Sequence, residues 1–334
     1  MSSLSPASRQ SLSPRKAWRR STDASRLCNP HLRLKIDLGV VRRNVEAIAD
    51  AVGVALLPVV KADAYGLGAE MVCDAIADLA EGFCVFQAAE AIAIDLVRRT
   101  GKRVLAMGPP ESVDPTDYLS QRITPAVSNP AQARHLRKAR PALCVDTGMQ
   151  RFACTPVDCR AALIAGDCRE AFTHATKLAH VETFKDLTDG FDLTRHAAAS
   201  ILLHEPQATL DAVRPGLVMY RGAVCLTSAI VECHVARGPA GYSEFTSERH
   251  GVILAGYAHG LRKGPCRING RSSRLLEVGM QSAFVELAPD DRVGDDVVLL
   301  NEDLTEIDLS QHWNCGPHEV LTSLSSAATR RYGY

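Results

Sequence analysis

From Leu32 to about Tyr220 two rhythms of hydrophobic positions alternate along the chain. Short apolar or period-two runs read as strands, and runs with apolar residues three and four apart read as amphipathic helices. "LRLKIDL" is the first strand, and Asp37 is placed to cap the helix "GVVRRNVEAIADAVG", which Gly53 ends. There follow the strand "ALLPVVKA", the helix "AEMVCDAIADLAEG", the strand "FCVFQ", the helix "AAEAIAIDLVRRTG" and the strand "KRVLAMG". "ITPAVS", "ALCVD" and "AFTHA" continue as strands, with helices expected at "NPAQARHLRKA", "TPVDCRAALIAG" and "RHAAASILLHE". Alternating strand and helix predict a parallel sheet with crossover helices, either doubly wound or a (β/α)8 barrel. After Gly222 the texture changes to short strands separated by Gly, Asp and Asn, among them "AIVECHVARG", "HGVILAGYAHG", "RLLEVG", "SAFVELAP" and "DDVVLLN". The expected organisation is an α/β domain over residues 31–222 followed by a β-rich domain over residues 223–334, with no internal repeat.

Composition narrows the class. The chain has 334 residues, enough for one large or two ordinary domains, and 46% are hydrophobic. Lys plus Arg and Asp plus Glu are each 38, so net charge calls for neither nucleic acid nor an anionic membrane. No apolar run approaches the roughly 18 residues of a membrane span. The 11 cysteines are odd in number and lack paired C-x-x-C spacing, which favours reduced thiols and a cytoplasmic location. No H-E-x-x-H or similar spacing occurs among the histidines, so no metal is expected. Residues 1–30 are rich in Ser and Arg, poor in acids and without an apolar h-region. That composition fits a disordered extension or a transit peptide rather than a secretory signal, and its basic run "RKAWRR" reads as a solvated tail.

Candidate chemistry begins with "LLPVVKADAYGLG". Lys61 stands at the end of a buried strand, where its amine must either reach solvent or serve a site. Arg151 beyond "CVDTGMQ", His174 in "FTHA" and Arg214 in "VRPGL" also lie at strand ends. In a (β/α) barrel such ends share one face. Taken singly, each is a solvated loop charge or a satisfied core histidine; together they suit an anionic cofactor or substrate. Asp63 is either an ion partner for Lys61 or a solvent-facing loop acid.

These segments resemble, in order, the motifs of the alanine racemase family. "VVKADAYGLG" is similar to its pyridoxal-phosphate lysine motif, "VDTGMQRFAC" to its V-D-T-G-M-G-R segment and "FTHA" to its T-H pair. "RPGLVMY" is similar to R-P-G-I-x-x-Y, "GYAHG" to G-Y-A-D-G, and "HEVLTSLSSAATRRYGY" to the family's C-terminus. The resemblance runs from about Leu34 to Tyr332. It implies an N-terminal (β/α)8 barrel, a C-terminal β domain and a head-to-tail homodimer with shared sites. It further implies interconversion of L- and D-alanine by two-base proton transfer on substrate conjugated to pyridoxal phosphate.

Carried over residue by residue, the resemblance makes Lys61 the covalent anchor and one base, and Tyr242 the second base, from the partner subunit. His174 adjoins that tyrosine, Arg214 meets the pyridine nitrogen, and Arg151 holds the substrate carboxylate. Tyr65, Ser200 and the amides of Gly216 and Leu217 form the phosphate cradle. The amide of Met280 reaches the carboxylate from the partner, and Tyr257 lines the mouth. Departures from the family pattern are Ala199 for asparagine, Gln281 for aspartate, Cys144 for the lysine that is often carbamylated, His318 for a tyrosine and His259 for aspartate. The alternatives are a non-catalytic pyridoxal-phosphate protein, and a racemase or decarboxylase of the same fold type with another amino-acid substrate.

Overall fold

The protein is represented by a computed structural model that describes residues 29–326 and 328–334. The disordered extension expected over residues 1–30 lies outside the described residues except for Asn29 and Pro30, which begin the first strand.

That strand, β1 (Asn29–Asp37), leads into helix α1 (Leu38–Val52). The Asp37 carboxylate accepts the Val40 amide at 2.8 Å and Gly53 closes the helix at φ 64°, as the polar residue before the apolar stripe and the glycine after it predict. Then come β2 (Ala55–Leu56), the left-handed turn α2 (Lys61–Tyr65), α3 (Ala69–Ile76), β3 (Gly82–Val85), α4 (Ala88–Ala93) and α5 (Leu96–Thr100). They continue as β4 (Arg103–Ala106), α6 (Pro115–Gln121), β5 (Ile123–Val127), α7 (Pro130–His135), β6 (Ala142–Cys144) and α8 (Cys159–Gly166). The series closes with β7 (Glu170–Phe172), α9 (Leu178–Leu187), β8 (Thr194–His196) and β9 (Ala212–Val213).

Strands β3 to β8 pair in parallel in chain order, and β2 pairs in parallel with β9. Parallel bridges Val59–Cys84 and Ala199–Arg214 join the two groups, so eight parallel strands close on themselves. This is the expected (β/α)8 barrel. Its interior is filled by Leu57, Val59, Cys84, Leu105, Ala126, Ala142, Cys144, Phe172 and Ala212, a hydrophobic cluster separate from the layer between strands and helices.

Two local expectations are corrected. "AAEAIAIDLVRRTG" is two helices, because Asp95 adopts φ 52° between α4 and α5. "RHAAASILLHE" is strand β8 followed by turns, and the helix preceding it is α9. Alanine favours helix, but His196, Ala197 and Ala198 are fully buried in the barrel wall, and packing overrides a propensity of a few tenths of a kcal/mol per residue.

The remainder comprises β10 (Val224–Val235), β11 (Arg249–Ile253), β12 (Pro265–Ile268), β13 (Arg271–Val278), β14 (Ala283–Glu286), β15 (Asp296–Leu300), α10 (Glu306–Trp313), α11 (Pro317–Ser325) and β16 (Ala328–Gly333). Its sheet order is β11-β14-β13-β12-β15-β10-β1-β16, antiparallel except for β1 against β16. The strand "LRLKIDL", read as opening the barrel, belongs here: Leu34 lies opposite Leu226 of β10 and Arg330 of β16. Alternation alone does not name a strand's partner.

Candidate active site

The chain leaves β2 through Val59 and Val60 and turns at Lys61 into an unusual conformation. Ala62, Asp63, Ala64 and Tyr65 take φ values of 53°, 57°, 52° and 60°, a left-handed turn that L-residues rarely sustain. Bonds from Ala64 N to Val60 O (2.9 Å) and from Gly66 N to Ala62 O (2.8 Å) close it. The Glu90 carboxylate accepts the Ala62 amide at 2.9 Å and the Phe86 amide at 2.7 Å, tying the turn to the start of α4. Asp63 is an ion partner, though not of Lys61: its carboxylate takes Arg330 at 2.6 Å and the Ala69 amide at 2.8 Å.

The turn delivers Lys61 to two adjoining cavities at the C-terminal ends of the barrel strands. One, of about 160 Å³, is lined by Lys61, Arg151, His174 and Arg214, with Phe86, Met107, Cys144 and Phe172 on its apolar side. The other, of about 240 Å³, is lined by Lys61, Tyr65, His174, Ser200, Arg214 and Gly216, with Ala199 and His318. Leu217 follows Gly216 at the start of a buried 3-10 turn, Leu217–Tyr220. The four basic residues singled out at strand ends therefore converge.

Convergence alters their chemistry. Burial first, then the positive charge of Arg151, lowers the Lys61 ammonium below its ordinary value, against an upward pull from Glu90. Burial and the cations Arg214, Lys61 and Arg151 push His174 down to about 4, so it is neutral at pH 7. Arg214 is buried, with its guanidinium 5.0 Å from the centre of the Phe172 ring. Its Nη2 donates to the Thr173 carbonyl and, at 3.3 Å, to that of Ala197.

Pyridoxal phosphate fits this donor set. The Arg214 Nε–H is buried without a partner among the described residues, so an acceptor atom of a ligand would satisfy it. Beside it the Gly216 amide donates to Ser200 Oγ at 3.2 Å. A Cβ at Gly216 would fall 2.5 Å from Tyr65 Oη, so only glycine leaves this anion-sized cradle open. The lowered lysine completes the set as an amine able to attack an aldehyde.

Tyr242, Tyr257 and Met280 are not among the residues lining either cavity. They are exposed on the β domain, at 98%, 57% and 60%. The Glu277 carboxylate accepts the amides of Tyr242 (3.0 Å) and Ser243 (2.6 Å), which ties that turn to β13. Tyr257 N donates to Gly279 O at 2.9 Å, and Ala258 N to Met280 O at 3.0 Å. The three thus gather near one end of β13, outside the lining of both cavities.

Three of the five departures have a definite place in the structure. His259 Nδ1 accepts the Gly256 amide at 3.1 Å, a cap that an aspartate oxygen also provides. Cys144 is buried and its thiol is pushed up to about 12, so it is neutral, and Arg151 has no carboxylate partner among the described residues. The His318 ring lies 5.7 Å from that of Tyr65. Sequence reasoning missed Glu90, Glu277 and Arg330; only Glu90 carried a signal, the Q-x-x-E capping box of "QAAE".

The profile of the alanine racemase N-terminal domain matches residues 36–223, more than half of the chain. The chain belongs to the alanine racemase family. It is therefore an enzyme of a pyridoxal-phosphate-dependent racemase family. The alanine racemase of Neisseria meningitidis serogroup C is 28% identical over 343 aligned residues, covering 89% of this chain and 97% of that one. That of Aliivibrio salmonicida is 32% identical over 195 residues, 49% and 54% of the two chains. Among solved structures, the biosynthetic alanine racemase of Pseudomonas aeruginosa superposes with a TM-score of 0.83 at 24% identity, covering 92% of this chain and all of that one. The Bartonella henselae alanine racemase, solved with covalently bound pyridoxal phosphate, superposes at 0.81 and 22% identity, covering 91% and 100%. At these identities the structural likeness speaks for the shared fold. Among the described residues no helix is long and apolar enough to cross a membrane, and no His, Cys, Asp and Glu cluster could hold a metal.

Proposed function

We propose that this chain is an alanine racemase, interconverting L- and D-alanine by two-base proton transfer at a site shared between the subunits of a cytoplasmic homodimer. The observation that carries the reading is the half-buried lysine of lowered basicity that lines one cavity with Arg151, His174 and Arg214.

Pyridoxal phosphate, when bound, supplies an electron-withdrawing ring for the charge left at Cα after proton removal. Lys61 anchors it and then moves a proton at Nζ; a free amine near its usual pKa of ~10.4 would be protonated at neutral pH, and burial among cations corrects this. Arg214, always charged, would donate from its buried Nε–H toward the cofactor's ring nitrogen and so disfavour a proton there. Tyr65, Ser200, Gly216 and Leu217 hold the phosphate, with amides and hydroxyls rather than further charge. Arg151 clamps the substrate carboxylate with a planar fork, joined by the Met280 amide of the partner.

Racemisation needs a second proton carrier on the opposite face. Tyr242 is the candidate: it is nearly wholly exposed, on a turn fixed by Glu277, and outside its own chain's cavities. An exposed phenol outside its own chain's two cavities suits the site of another subunit, next to neutral His174, with Tyr257 at the mouth. The free, mostly buried cysteines suit a reducing compartment.

The test loads the purified protein with pyridoxal phosphate and divides it: one portion is assayed for D-alanine formed from L-alanine, and the other is reduced with borohydride and digested to locate the pyridoxyl group. The expected result is a pyridoxyl group on the Lys61 peptide together with D-alanine. A label on another peptide refutes the lysine assignment. A label on Lys61 without conversion of any small amino acid leaves a cofactor-binding protein that is not a racemase.

A further inference from the structure

The left-handed turn that presents Lys61 needs an explanation that the cavities do not supply. Four successive non-glycine residues at φ between 52° and 60° persist only where the surroundings over-determine them. One restraint is local, the Glu90 carboxylate on the Ala62 amide at 2.9 Å. The others come from the far end of the chain. Arg330 Nη1 donates to Asp63 Oδ2 at 2.6 Å, while Asp63 Oδ1 accepts the first amide of α3, that of Ala69, at 2.8 Å. Tyr332, two residues on and so on the same face of β16, donates its hydroxyl to Leu67 O at 3.0 Å. At Gly68, φ is +95°, and a Cβ would fall 2.0 Å from the Tyr332 hydroxyl. Strand β16 is itself held by parallel pairing with β1, from Arg33 opposite Thr329 to Asp37 opposite Gly333. Arg330 and Tyr332 line neither cavity, so any effect they have on Lys61 passes through the turn.

We propose that Arg330 and Asp63 are a positioning pair, and that β16 straps the lysine turn so that the Lys61 amine stays at the wall of the two cavities. The pair makes a charge-assisted contact partly shielded from solvent, the Arg330 side chain being 21% exposed and that of Asp63 37%. Without it the turn can relax toward ordinary backbone. The lysine then swings toward water, is protonated more of the time and meets the cofactor aldehyde less often. The proposal rests on the reading of Lys61 as the cofactor lysine, and extends it to residues outside the site.

The experiment uses the full-length protein. Pyridoxal phosphate is titrated into wild type, Arg330→Ala, Arg330→Lys, Asp63→Asn, the Arg330→Ala/Asp63→Asn double variant and Tyr332→Phe, following the visible chromophore across pH. Arg330→Ala should weaken cofactor affinity by roughly ten-fold, the range set by a charge-assisted hydrogen bond, and move chromophore formation to higher pH. Arg330→Lys should recover part of the affinity, and the double variant should be no weaker than the weaker single one. The kcat for the loaded fraction should fall while KM for alanine holds. If Arg330→Ala does not fold, Tyr332→Phe and Asp63→Asn carry the test with less disruption. Unchanged affinity and pH dependence alongside a lowered melting temperature would overturn the proposal, since a purely structural tie would give that pattern. Borohydride labelling of wild type separates the two readings: label on Lys61 with no effect of Arg330 sinks the strap alone, and label elsewhere sinks both.

Discussion

Lys61 and its neighbours show how one side chain acquires chemistry from what surrounds it. Its ammonium is lowered by burial and by Arg151 and Arg214, and His174 beside it is neutral because burial first, and then the neighbouring cations, disfavour a proton there. Removing Arg151 removes a charge that disfavours the protonated amine, so the Lys61 pKa rises. Arg151→Gln should therefore shift the pH at which the apoprotein takes up pyridoxal phosphate to higher values, read from the chromophore alone without reliance on turnover. Tyr242→Phe should leave that uptake intact and lower racemisation by roughly 10²–10⁴-fold, the usual worth of a positioned proton carrier, in a coupled D-alanine assay. A Tyr242→Phe protein with full turnover would remove the tyrosine from the mechanism.

At the level of elements, the barrel wall contains a buried polar group that serves stability. Glu170 of β7 accepts Arg103 of β4 at 2.8 Å and His196 of β8 at 2.9 Å, so three strands are tied through one carboxylate. Burial alone would raise Glu170, but His196 and Arg103 bring it down to about 2, while burial pushes His196 down to about 4. The sign is the same for both. Between pH 6.5 and about 4 the unfolded chain binds a proton at histidine that folded His196 refuses, and between 4.5 and about 2 the same holds for Glu170. Stability should therefore fall as pH drops from about 6.5, in denaturant titrations at stepped pH. Glu170→Ala should cost ~3–5 kcal/mol, the general cost of stripping one partner from a buried pair, and should flatten the lower part of that profile. An unaltered acid profile would show that the network contributes nothing. The same scale explains why "RHAAASILLHE" is strand and turn: His196 must face Glu170, and Ser200 must reach Gly216, which a helix over those residues would prevent.

For the whole molecule, the first strand and the last lie together in the C-terminal sheet, so both ends of the described chain are fastened to the domain opposite the barrel. That arrangement puts Arg330 and Tyr332 on the lysine turn while leaving Tyr242, Tyr257 and Met280 facing outward. If the outward residues complete a second subunit's site, two dead variants can rescue each other. Lys61→Ala and Tyr242→Phe proteins, mixed and refolded together, should regain about a quarter of wild-type activity, because half the dimers are mixed and each holds one intact site. No recovery, with mixed dimers demonstrated by mass, would place both bases in one chain or remove one of them.

The chain's own pattern was enough for the alternating strands and helices, the change of texture at Gly222, the caps Asp37 and Gly53, and a lysine after a buried strand. These depend on periodicity, local capping and composition, which act over a few residues at a time. Tertiary structure alone decided that "LRLKIDL" joins the C-terminal sheet, that Asp63 answers Arg330 rather than Lys61, and that Glu90 and Glu277 hold the turns that carry Lys61 and Tyr242. The partners of Asp63 and Glu277 lie 267 and 35 positions away. No local rule of propensity or spacing reaches across such separations; only the pairing of β16 with β1 sets Arg330 on Asp63, and only the pairing of β11, β14 and β13 sets Glu277 under the Tyr242 turn.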